Sequence, residues 1–552
     1  MCDFCDAAYW YDLGEKEINE ALDKQILSNV AQNVILFLGD GMGIAPGTAG
    51  RIFKGQRNGV SGEEDYLEWE RFPNIGLVKT YNLDMQVPDS AGTSTAFLSG
   101  AKANFHTVAV TGRVGKGDCA ASLKSENSVD SIVKWAQDAG KETGFVTTTQ
   151  VTHGTPAGLY AKSPNRKWQC DTAVKKAGPS AVACKDIARQ LVEDEPAKNM
   201  KVIMGGGREE MGADTTSSRA HTKQECVRGD GRNLAKEWRE EKRSRGRSHA
   251  YVTTTGELRQ VEVEKTEFLM GLFADLHMPF EVDRNTSLDG TPDLREMTSA
   301  AMRRLRRSEK GFFLLVESGR IDHGLHYSQP RRALEEILAM EEALKETLDL
   351  VDLNDTLVLV TADHSHVMTI NGYPRRGNDI LGKSFNYEKV TDGLPFTTLM
   401  FTNGFGFNYT WNGEKQGLRS PRWCSYEEEI RDSQGEDVAV YAVGPMSHLF
   451  HRVHEQTHVA HVMAYSDCIG PYKNCDRPVG VNVMLERMRW LLTYALAVCA
   501  TLVDLKANAI VQGGRLMRKH SYHMAAKGRK LLVKSGVRIR GLLHIERDYI
   551  TL

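Results

Sequence analysis

The sequence predicts an α/β fold with a doubly wound, largely parallel central sheet flanked by helices. Short apolar runs without charged residues recur along the chain, and each is typical of a strand buried on both faces. Helical patterns separate these runs, and strands that alternate with helices form parallel sheets. At 552 residues and 41% hydrophobic content, the chain is long enough to bury a large core.

The elements follow in a regular order. A helical pattern over 14–28 comes first, with Ile18, Leu22 and Ile26 four residues apart. The predicted strands then cover 33–38, 144–149, 200–204, 311–316 and 356–361, and helical stretches at 128–139 and 332–350 lie between them.

Polar side chains follow the predicted strands where they end. They are Asp40 after 33–38, His153 and Thr155 after 144–149, Glu317, Asp322 and His326 after 311–316, and Asp363, His364 and His366 after 356–361. Ligands of open α/β sheets bind beyond the carboxyl ends of the strands. Any one of these residues is equally typical of a capped turn, but their recurrence at successive strand ends favours a functional site.

Ser90 follows Pro88 and Asp89 at the start of a predicted helix. The N-terminus of this helix would favour negative charge near the hydroxyl of Ser90. A serine needs a base or a metal ion to become a nucleophile, because its hydroxyl does not ionise unaided near neutral pH. An ordinary helix cap is the alternative interpretation of this segment.

The acids and histidines divide into two kinds of metal-ligand set. Asp322 and His326 are four residues apart, so one helix face carries both, and Asp363 adjoins His364. Carboxylate with imidazole suits zinc, whereas the all-oxygen set of Asp40, Thr155 and Glu317 suits magnesium. Arg166 offers a planar fork that matches two phosphate oxygens, although alone it would be interpreted as a surface arginine.

Composition disfavours several other functions. A net charge of −2 indicates no nucleic-acid partner. The ten cysteines are too few for a disulfide scaffold and fit no zinc-finger spacing. Residues 1–12 show no signal-peptide pattern.

Over 13–476 the chain resembles the animal-type alkaline phosphatases. The motifs that carry the resemblance are Gly39-Asp40-Gly41-Met42-Gly43, Val87-Pro88-Asp89-Ser90-Ala91, Thr147-Thr148-Thr149, Pro156-Ala157-Gly158, Arg320-Ile321-Asp322-His323-Gly324 and Thr361-Ala362-Asp363-His364-Ser365-His366. The resemblance implies a catalytic domain over this range, with a crown insertion at about 369–431 that packs across a homodimer interface.

The resemblance also implies the chemistry, which is hydrolysis of phosphate monoesters through a phosphoserine at Ser90, with Arg166 holding the phosphoryl oxygens. It implies two zinc ions and one magnesium ion. One zinc would be held by Asp40, Ser90, Asp363 and His364, the other by Asp322 and His326, and the magnesium by Asp40, Thr155 and Glu317 with His153 nearby. His366 would contact a ligand without being one.

Two departures from the family pattern affect metal sites. Ser433 stands where the family has a histidine that completes the second zinc site, and a serine hydroxyl is a poor zinc ligand. Phe273 and Asp289 resemble parts of a calcium site, but Ala274 replaces the family's glutamate, so we do not expect an intact calcium site. A catalytically impaired, phosphatase-fold binding protein at the cell surface therefore stays open as an alternative.

The resemblance implies disulfides between Cys119 and Cys184 and between Cys468 and Cys475, which indicate an oxidising compartment. Sequons at Asn285, Asn354 and Asn408 agree with a glycoprotein. The expected location is the cell surface or the extracellular space. The tail 477–552 has a short hydrophobic segment at 490–503 and a basic end. Attachment through a lipid anchor or through a short membrane segment is compatible with this tail.

Overall fold

A computed structural model describes residues 7–215, 226–384, 396–402 and 433–475. These residues belong to the first of two units into which the chain divides, Met1–Gly480. Most of the predicted crown insertion and all of the tail beyond 476, including 490–503, lie outside the described residues. Within the described part, no helix combines the length and the apolar character needed to cross a bilayer.

Apolar runs form the strands as the sequence predicts, and further strands join them. The described strands are β1 (Asn33–Gly39), β2 (Asn74–Lys79), β3 (Glu142–Gln150), β4 (Val202–Gly206), β5 (His249–Val252), β6 (Phe268–Leu272), β7 (Phe312–Ser318), β8 (Thr356–Thr361), β9 (Ser365–His366), β10 (Met368–Ile370), β11 (Lys383–Ser384), β12 (Phe396–Thr397), β13 (Leu399–Phe401), β14 (Ser433–Gln434), β15 (Val438–Val443) and β16 (Val453–Glu455).

A ten-stranded sheet forms the centre of the fold, in the order β16-β2-β15-β8-β1-β7-β3-β4-β6-β5. Among the described strands of this sheet, only β15 runs antiparallel to its neighbours. In the middle, Val34 of β1 lies opposite Phe313 of β7 on one side and Leu357 of β8 on the other. These apolar strands are buried on both faces, as expected for a parallel sheet. The predicted fold class is confirmed.

Helices flank the sheet in two groups. The described helices are α1 (Ala7–Leu22), α2 (Ile44–Arg57), α3 (Ser90–Ser99), α4 (Cys119–Ser122), α5 (Ile132–Asp138), α6 (Gly154–Ala157), α7 (Asp171–Lys176), α8 (Ile187–Glu193), α9 (Arg208–Met211), α10 (Leu234–Ser244), α11 (Thr255–Gln260), α12 (Leu294–Leu305), α13 (Arg320–His326), α14 (Pro330–Leu350) and α15 (Thr457–Asp467). In one group α14 contacts α2, α12 and α13, and in the other α15 contacts α3 and α5.

The first predicted helix is displaced along the chain. Helix α1 ends at Leu22, so Ile26 of the predicted 14–28 pattern lies beyond it. None of the residues in α1 is buried, and Ile18 and Leu22 are exposed. The four-residue spacing therefore predicted correctly that this segment is helical. The apolar face that it also indicates is not packed against the described residues of this chain.

The described parts of the predicted crown insertion contain short strands instead of the alternating strands and helices seen elsewhere. Strand β10 pairs with β13, and β11 pairs with β12, both antiparallel. Residues 385–395 and 403–432 of the insertion are not among those described.

Candidate active site

The predicted site residues lie together beyond the carboxyl ends of four neighbouring strands, β8, β1, β7 and β3. Because these strands are parallel, the segments that leave them emerge at the same edge of the sheet. Asp40 follows β1, Glu317 lies near the end of β7, and Asp363 follows β8. The topology thus brings together side chains that are hundreds of residues apart.

Ser90 is the first residue of α3, and the preceding Asp89 caps the helix. The carboxylate of Asp89 accepts hydrogen bonds from the backbone N–H groups of Ala91 and Gly92 at 3.2 and 3.3 Å. Ser90 is buried, and its Oγ lies 3.4 Å from Nε2 of His364. The predicted helix N-terminus is therefore confirmed, and it aims the hydroxyl at the residues that follow β8.

Asp40, Asp363 and His364 converge on one point beside Ser90. Nε2 of His364 lies 3.2 Å from Oδ2 of Asp363 and 3.6 Å from Oδ1 of Asp40. The other oxygen of Asp363 accepts backbone N–H bonds from Gly41 and His364, which fixes the carboxylate. Gly41 has a φ of +70°, and a Cβ there would lie 3.0 Å from Oδ1 of Asp322, so this turn requires glycine.

Asp40 is fully buried, and neither of its carboxylate oxygens has a hydrogen-bond partner. Burial raises the pKa of Asp40 well above its usual value, and the nearby charges of Asp363, Asp322 and Glu317 raise it further. An acid kept among other acids without a cation is unfavourable for the fold. The arrangement fits a bound cation at Asp40.

Two members of the predicted all-oxygen set, Asp40 and Glu317, lie close together. Asp40, His153 and Glu317 have ligand atoms within 4.8 Å of one another. Oε1 of Glu317 and Oγ1 of Thr155 are buried without partners, whereas Oε2 of Glu317 accepts a bond from Oγ1 of Thr147 at 2.5 Å. Burial raises the pKa of Glu317 to about 7. Oε1 of Glu317 and Oγ1 of Thr155 are therefore buried oxygens of the kind that a hard cation binds.

Asp322, His326 and His366 form a third group with ligand atoms within 4.8 Å of one another. Nε2 of His326 lies 3.1 Å from Oδ2 of Asp322, and Nδ1 of His326 lies 3.2 Å from Nε2 of His366. Burial alone would raise the pKa of Asp322, but the adjacent His326 holds it well below its usual value. Burial lowers the pKa of His366 to about 3, so its ring is neutral.

Ser433 lies between the group that contains His364 and the group that contains His366. Its Oγ is 3.3 Å from Nε2 of His364. It begins β14, which pairs with β9 so that Ser433 is directly opposite His366. The serine therefore reaches the site, but it contacts the histidine of the first group.

Arg166 is held in place by two side chains. One of its terminal nitrogens donates to Oδ2 of Asp89 at 2.9 Å, and the other lies 2.9 Å from Nε2 of His153. Burial lowers the pKa of His153 well below its usual value, and Arg166 lowers it further, so the neutral ring can accept the guanidinium N–H. A surface role for Arg166 is wrong, since its side chain is 16% exposed and faces Ser90's helix.

Unpartnered buried atoms mark where cations fit. In the described part of the site they are Oδ1 and Oδ2 of Asp40, Nδ1 of His153, Oγ1 of Thr155, Oε1 of Glu317 and Oδ1 of Asp322. Buried polar atoms are normally hydrogen-bonded, and the carboxylate and hydroxyl oxygens in this set are donors of the kinds that zinc and magnesium accept. The residues present therefore fit divalent metal ions.

Comparison with known proteins identifies the family. The family model described as alkaline phosphatase matches residues 31–469. The chain belongs to the alkaline phosphatase family. It is 43% identical to the tissue-nonspecific isozyme of Gallus gallus, covering 88% of this chain and 95% of that protein. It is 39% identical to the membrane-bound alkaline phosphatase of Bombyx mori, covering 90% and 91%.

Solved structures agree with this alkaline phosphatase fold. The enzyme of the Antarctic bacterium TAB5 is 21% identical, with a TM-score of 0.56 over 80% of this chain and 99% of that chain. The Thermus thermophilus enzyme is 24% identical, with a TM-score of 0.56 over 81% and 93%. Membership of the family makes the chain a phosphomonoesterase.

Sequence reasoning missed several residues that support the alkaline phosphatase site. His323 lies in a recognised motif without an assigned role, and His277 lies in a loop with no motif at all. Their rings are 4.4 Å apart between centroids, and both lie beside His153. Thr147 was recognised only as part of a motif, yet it holds Glu317. The Thr147-Thr148-Thr149 motif carried a signal, whereas nothing local pointed to His277.

The two disulfides implied by the resemblance are present in the structure. Cys119 is bonded to Cys184, and Cys468 is bonded to Cys475. A third disulfide, between Cys170 and Cys226, was not predicted. None of the candidate metal groups in the described ranges includes Asp289 of the doubtful calcium site.

Proposed function

We propose that the chain hydrolyses phosphate monoesters in two steps through a phosphoserine at Ser90. The proposal is supported above all by the position of Ser90, whose buried hydroxyl begins α3 and lies beside His364 and the unpaired oxygens of Asp40. Positive charge at that point would favour the ionised hydroxyl, which is the nucleophilic form.

In the first step, Oγ of Ser90 attacks phosphorus, the bond from phosphorus to the ester oxygen breaks, and the alcohol leaves. Arg166 binds the phosphoryl oxygens and is kept in position by Asp89 and His153. In the second step, water attacks the phosphoserine, Oγ of Ser90 leaves, and inorganic phosphate is released. The loose phosphoryl transition state requires mainly positioning and positive charge.

The residues that would hold two zinc ions and one magnesium ion are those given by the resemblance. Asp40, Ser90, Asp363 and His364 would hold one zinc, Asp322 and His326 the other, and Asp40, Thr155 and Glu317 the magnesium. When bound, such ions supply positive charge that stabilises the entering and leaving oxygens of an in-line displacement.

The test is turnover of an aryl phosphate at alkaline pH with zinc and magnesium supplied. Ser90→Ala should lower turnover at least about 1,000-fold, since no other group is proposed to form the covalent bond. Acid quenching followed by peptide mass spectrometry should find the phosphate on Ser90 in the wild type.

The matched control is Ser99→Ala at the other end of the same helix. Ser99 is also buried in α3, and its Oγ has no hydrogen-bond partner in the described structure. This variant should keep wild-type turnover. Wild-type rates in Ser90→Ala, or a phosphate trapped on another residue, would show that Ser90 is not the nucleophile.

We propose further that the protein is a homodimer at the cell surface or outside the cell. The disulfides support an oxidising compartment, and the Bombyx mori relative is named as membrane-bound. Fractionation of cells that express the chain with and without residues 477–552 tests attachment through the tail, and light scattering tests the dimer.

The impaired binding protein is the rival function, and Ser433 is the observation in its favour. It predicts that the Asp322 and His326 site is largely empty of zinc, so metal analysis of the purified protein separates the two functions. We favour the enzyme because Asp322 and His326 share their group with a third potential ligand, His366.

A further inference from the structure

We propose that His366 is the third zinc ligand of the Asp322 and His326 site, in the place that Ser433 leaves without a histidine. This inference rests on the proposed metal-dependent function. It assigns to His366 a direct role that the resemblance does not imply.

The first argument is the pairing of the strands. His366 on β9 is directly opposite Ser433 on β14 in an antiparallel ladder. Side chains directly opposite each other in such a ladder lie on the same face, with Cβ atoms about 4.5–5.5 Å apart. The imidazole of His366 therefore lies next to position 433, where the family has its histidine ligand.

The second argument is an unpartnered oxygen. Oδ1 of Asp322 is buried and has no hydrogen-bond partner, and it lies 4.0 Å from Nε2 of His366. Zinc lies about 2.0–2.2 Å from carboxylate oxygen and imidazole nitrogen. The gap is too long for a hydrogen bond. A tetrahedral zinc holds two such atoms about 3.3–3.5 Å apart, so a small approach of the two side chains lets one ion contact both.

The third argument is the direction of the existing hydrogen bonds. The backbone N–H of Val367 donates to Nδ1 of His366 at 3.0 Å, so the proton of the neutral ring is on Nε2, facing His326. Zinc binding through Nε2 requires that proton to move to Nδ1 or to leave the ring. Because the Val367 N–H opposes a proton on Nδ1, His366 binds zinc less readily than an unconstrained histidine would. We therefore expect this to be the weaker of the two zinc sites.

The alternative role for His366 is to orient His326 through the hydrogen bond between their rings. Two substitutions separate the roles. His366→Ala removes both the ligand and the hydrogen bond, whereas His366→Gln places an amide N–H near the position of Nε2 and cannot replace an imidazole as a zinc ligand. A ligand role predicts zinc loss in both variants, and an orienting role predicts that the glutamine variant keeps its zinc.

The experiment measures zinc per chain after dialysis and zinc affinity by competition with a chelator, without an activity assay. The wild type should hold two zinc ions. In His366→Ala and His366→Gln, the dissociation constant of one site should rise at least about 100-fold while the other is unchanged. The double variant His366→Ala with Ser433→His should regain the second zinc, because it supplies a histidine from the opposite strand.

The control is His454→Ala. His454 lies in β16 and belongs to none of the candidate metal groups of the described residues, so its loss should leave both zinc sites intact. Two zinc ions retained in His366→Ala, or in His366→Gln, would overturn the role of His366 and leave the proposed function standing. A wild type that holds one zinc would also overturn the inference. A wild type that binds no zinc would contradict the proposed function itself.

Discussion

The two edges of the central sheet differ in whether their buried acids have a cation from the protein beside them. At the carboxyl edge, Asp40, Glu317 and Asp322 each have a buried oxygen with no hydrogen-bond partner. At the amino edge the acids have a cation beside them. Lys141 lies 2.5 Å from Asp467, whose oxygens otherwise have no hydrogen-bond partner, and the guanidinium of Arg304 donates twice to the carboxylate of Glu142 at the start of β3.

The acids at the carboxyl edge serve the proposed metal sites, whereas those at the amino edge serve the stability of the fold. Paired charges at the amino edge need nothing from solution, whereas the acids at the carboxyl edge repel one another until a cation joins them. Binding of an ion to the folded state alone stabilises the fold, by about 2.7 kcal/mol when the ion is at 100 times its dissociation constant. The carboxyl edge should therefore depend on metal for its stability and the amino edge should not.

The largest expected effect is that of Asp40→Asn. Turnover should fall at least about 1,000-fold, because Asp40 belongs to two of the candidate metal groups. In chelator-treated protein, the same substitution should raise the free energy of unfolding by about 1–3 kcal/mol, since it removes one of several repelling charges. Thermal unfolding without metal measures the stability that the variant gains. Repeating it with zinc and magnesium measures how much stabilisation by metal the variant has lost.

Asp467→Asn is the matched control, because it is the same change at the opposite edge. It should leave turnover and the stabilisation by metal as they are in the wild type. If Asp40→Asn destabilised the chelator-treated protein as well, the acids at the carboxyl edge would not be in conflict, and the contrast between the edges would fail.

A smaller effect is expected for Ser433→His. Histidine is a far better zinc ligand than serine, and position 433 is opposite His366. The zinc concentration that gives half-maximal turnover in chelator-treated protein should fall by about tenfold, at the low end of the range known for changes around a metal. At limiting zinc, less phosphorylated Ser90 should accumulate in the variant than in the wild type.

Ser433→Ala controls for the loss of the hydroxyl and should not tighten zinc binding. An equal fall in the zinc requirement of both variants would mean that removal of the serine, and not the new imidazole, is responsible. An unchanged requirement in Ser433→His would show that the serine does not weaken the site.

The central strands could be predicted from the sequence because strands buried on both faces consist of uninterrupted runs of apolar residues. β1, β7 and β8 are of this kind. β2 alternates between buried and exposed positions, and β16 is three residues long, so neither has a local pattern strong enough to identify it. Their place in the sheet depends on pairing with β15 and with each other.

The site shows the same division. Asp40 and Asp363 could be predicted because they follow such strands within two residues. The pairing of His366 with Ser433 could not, since it depends on how residues far apart in the chain meet in β9 and β14. His277 was missed for the same reason, because its contact with Gln150 joins a loop to the end of β3, far away in the chain.

The last expected effect leaves turnover unchanged and concerns the pH dependence of stability at the amino edge. Burial raises the pKa of Asp467 to about 7, although Lys141 lowers it in part. In the unfolded chain the pKa is about 3.9. Between about pH 4 and pH 7 the folded state therefore keeps a proton that the unfolded state has lost, so stability from this group is present at low pH and is lost as the pH rises towards 7. The contribution is at most about 1.4 kcal/mol per pH unit.

Asp467→Asn should remove this slope, so that the free energy of unfolding of the wild type falls steadily relative to that of the variant between pH 4 and pH 7. Urea unfolding at several pH values in the presence of chelator measures the free energy of unfolding of each protein. The acids of the carboxyl edge are the same in both, so their contribution drops out of the difference between variant and wild type. Parallel curves would mean that Asp467 is already charged at pH 4 as a partner of Lys141. In that case the amino edge would consist of permanently ionised pairs, and the contrast with the carboxyl edge would be sharper still.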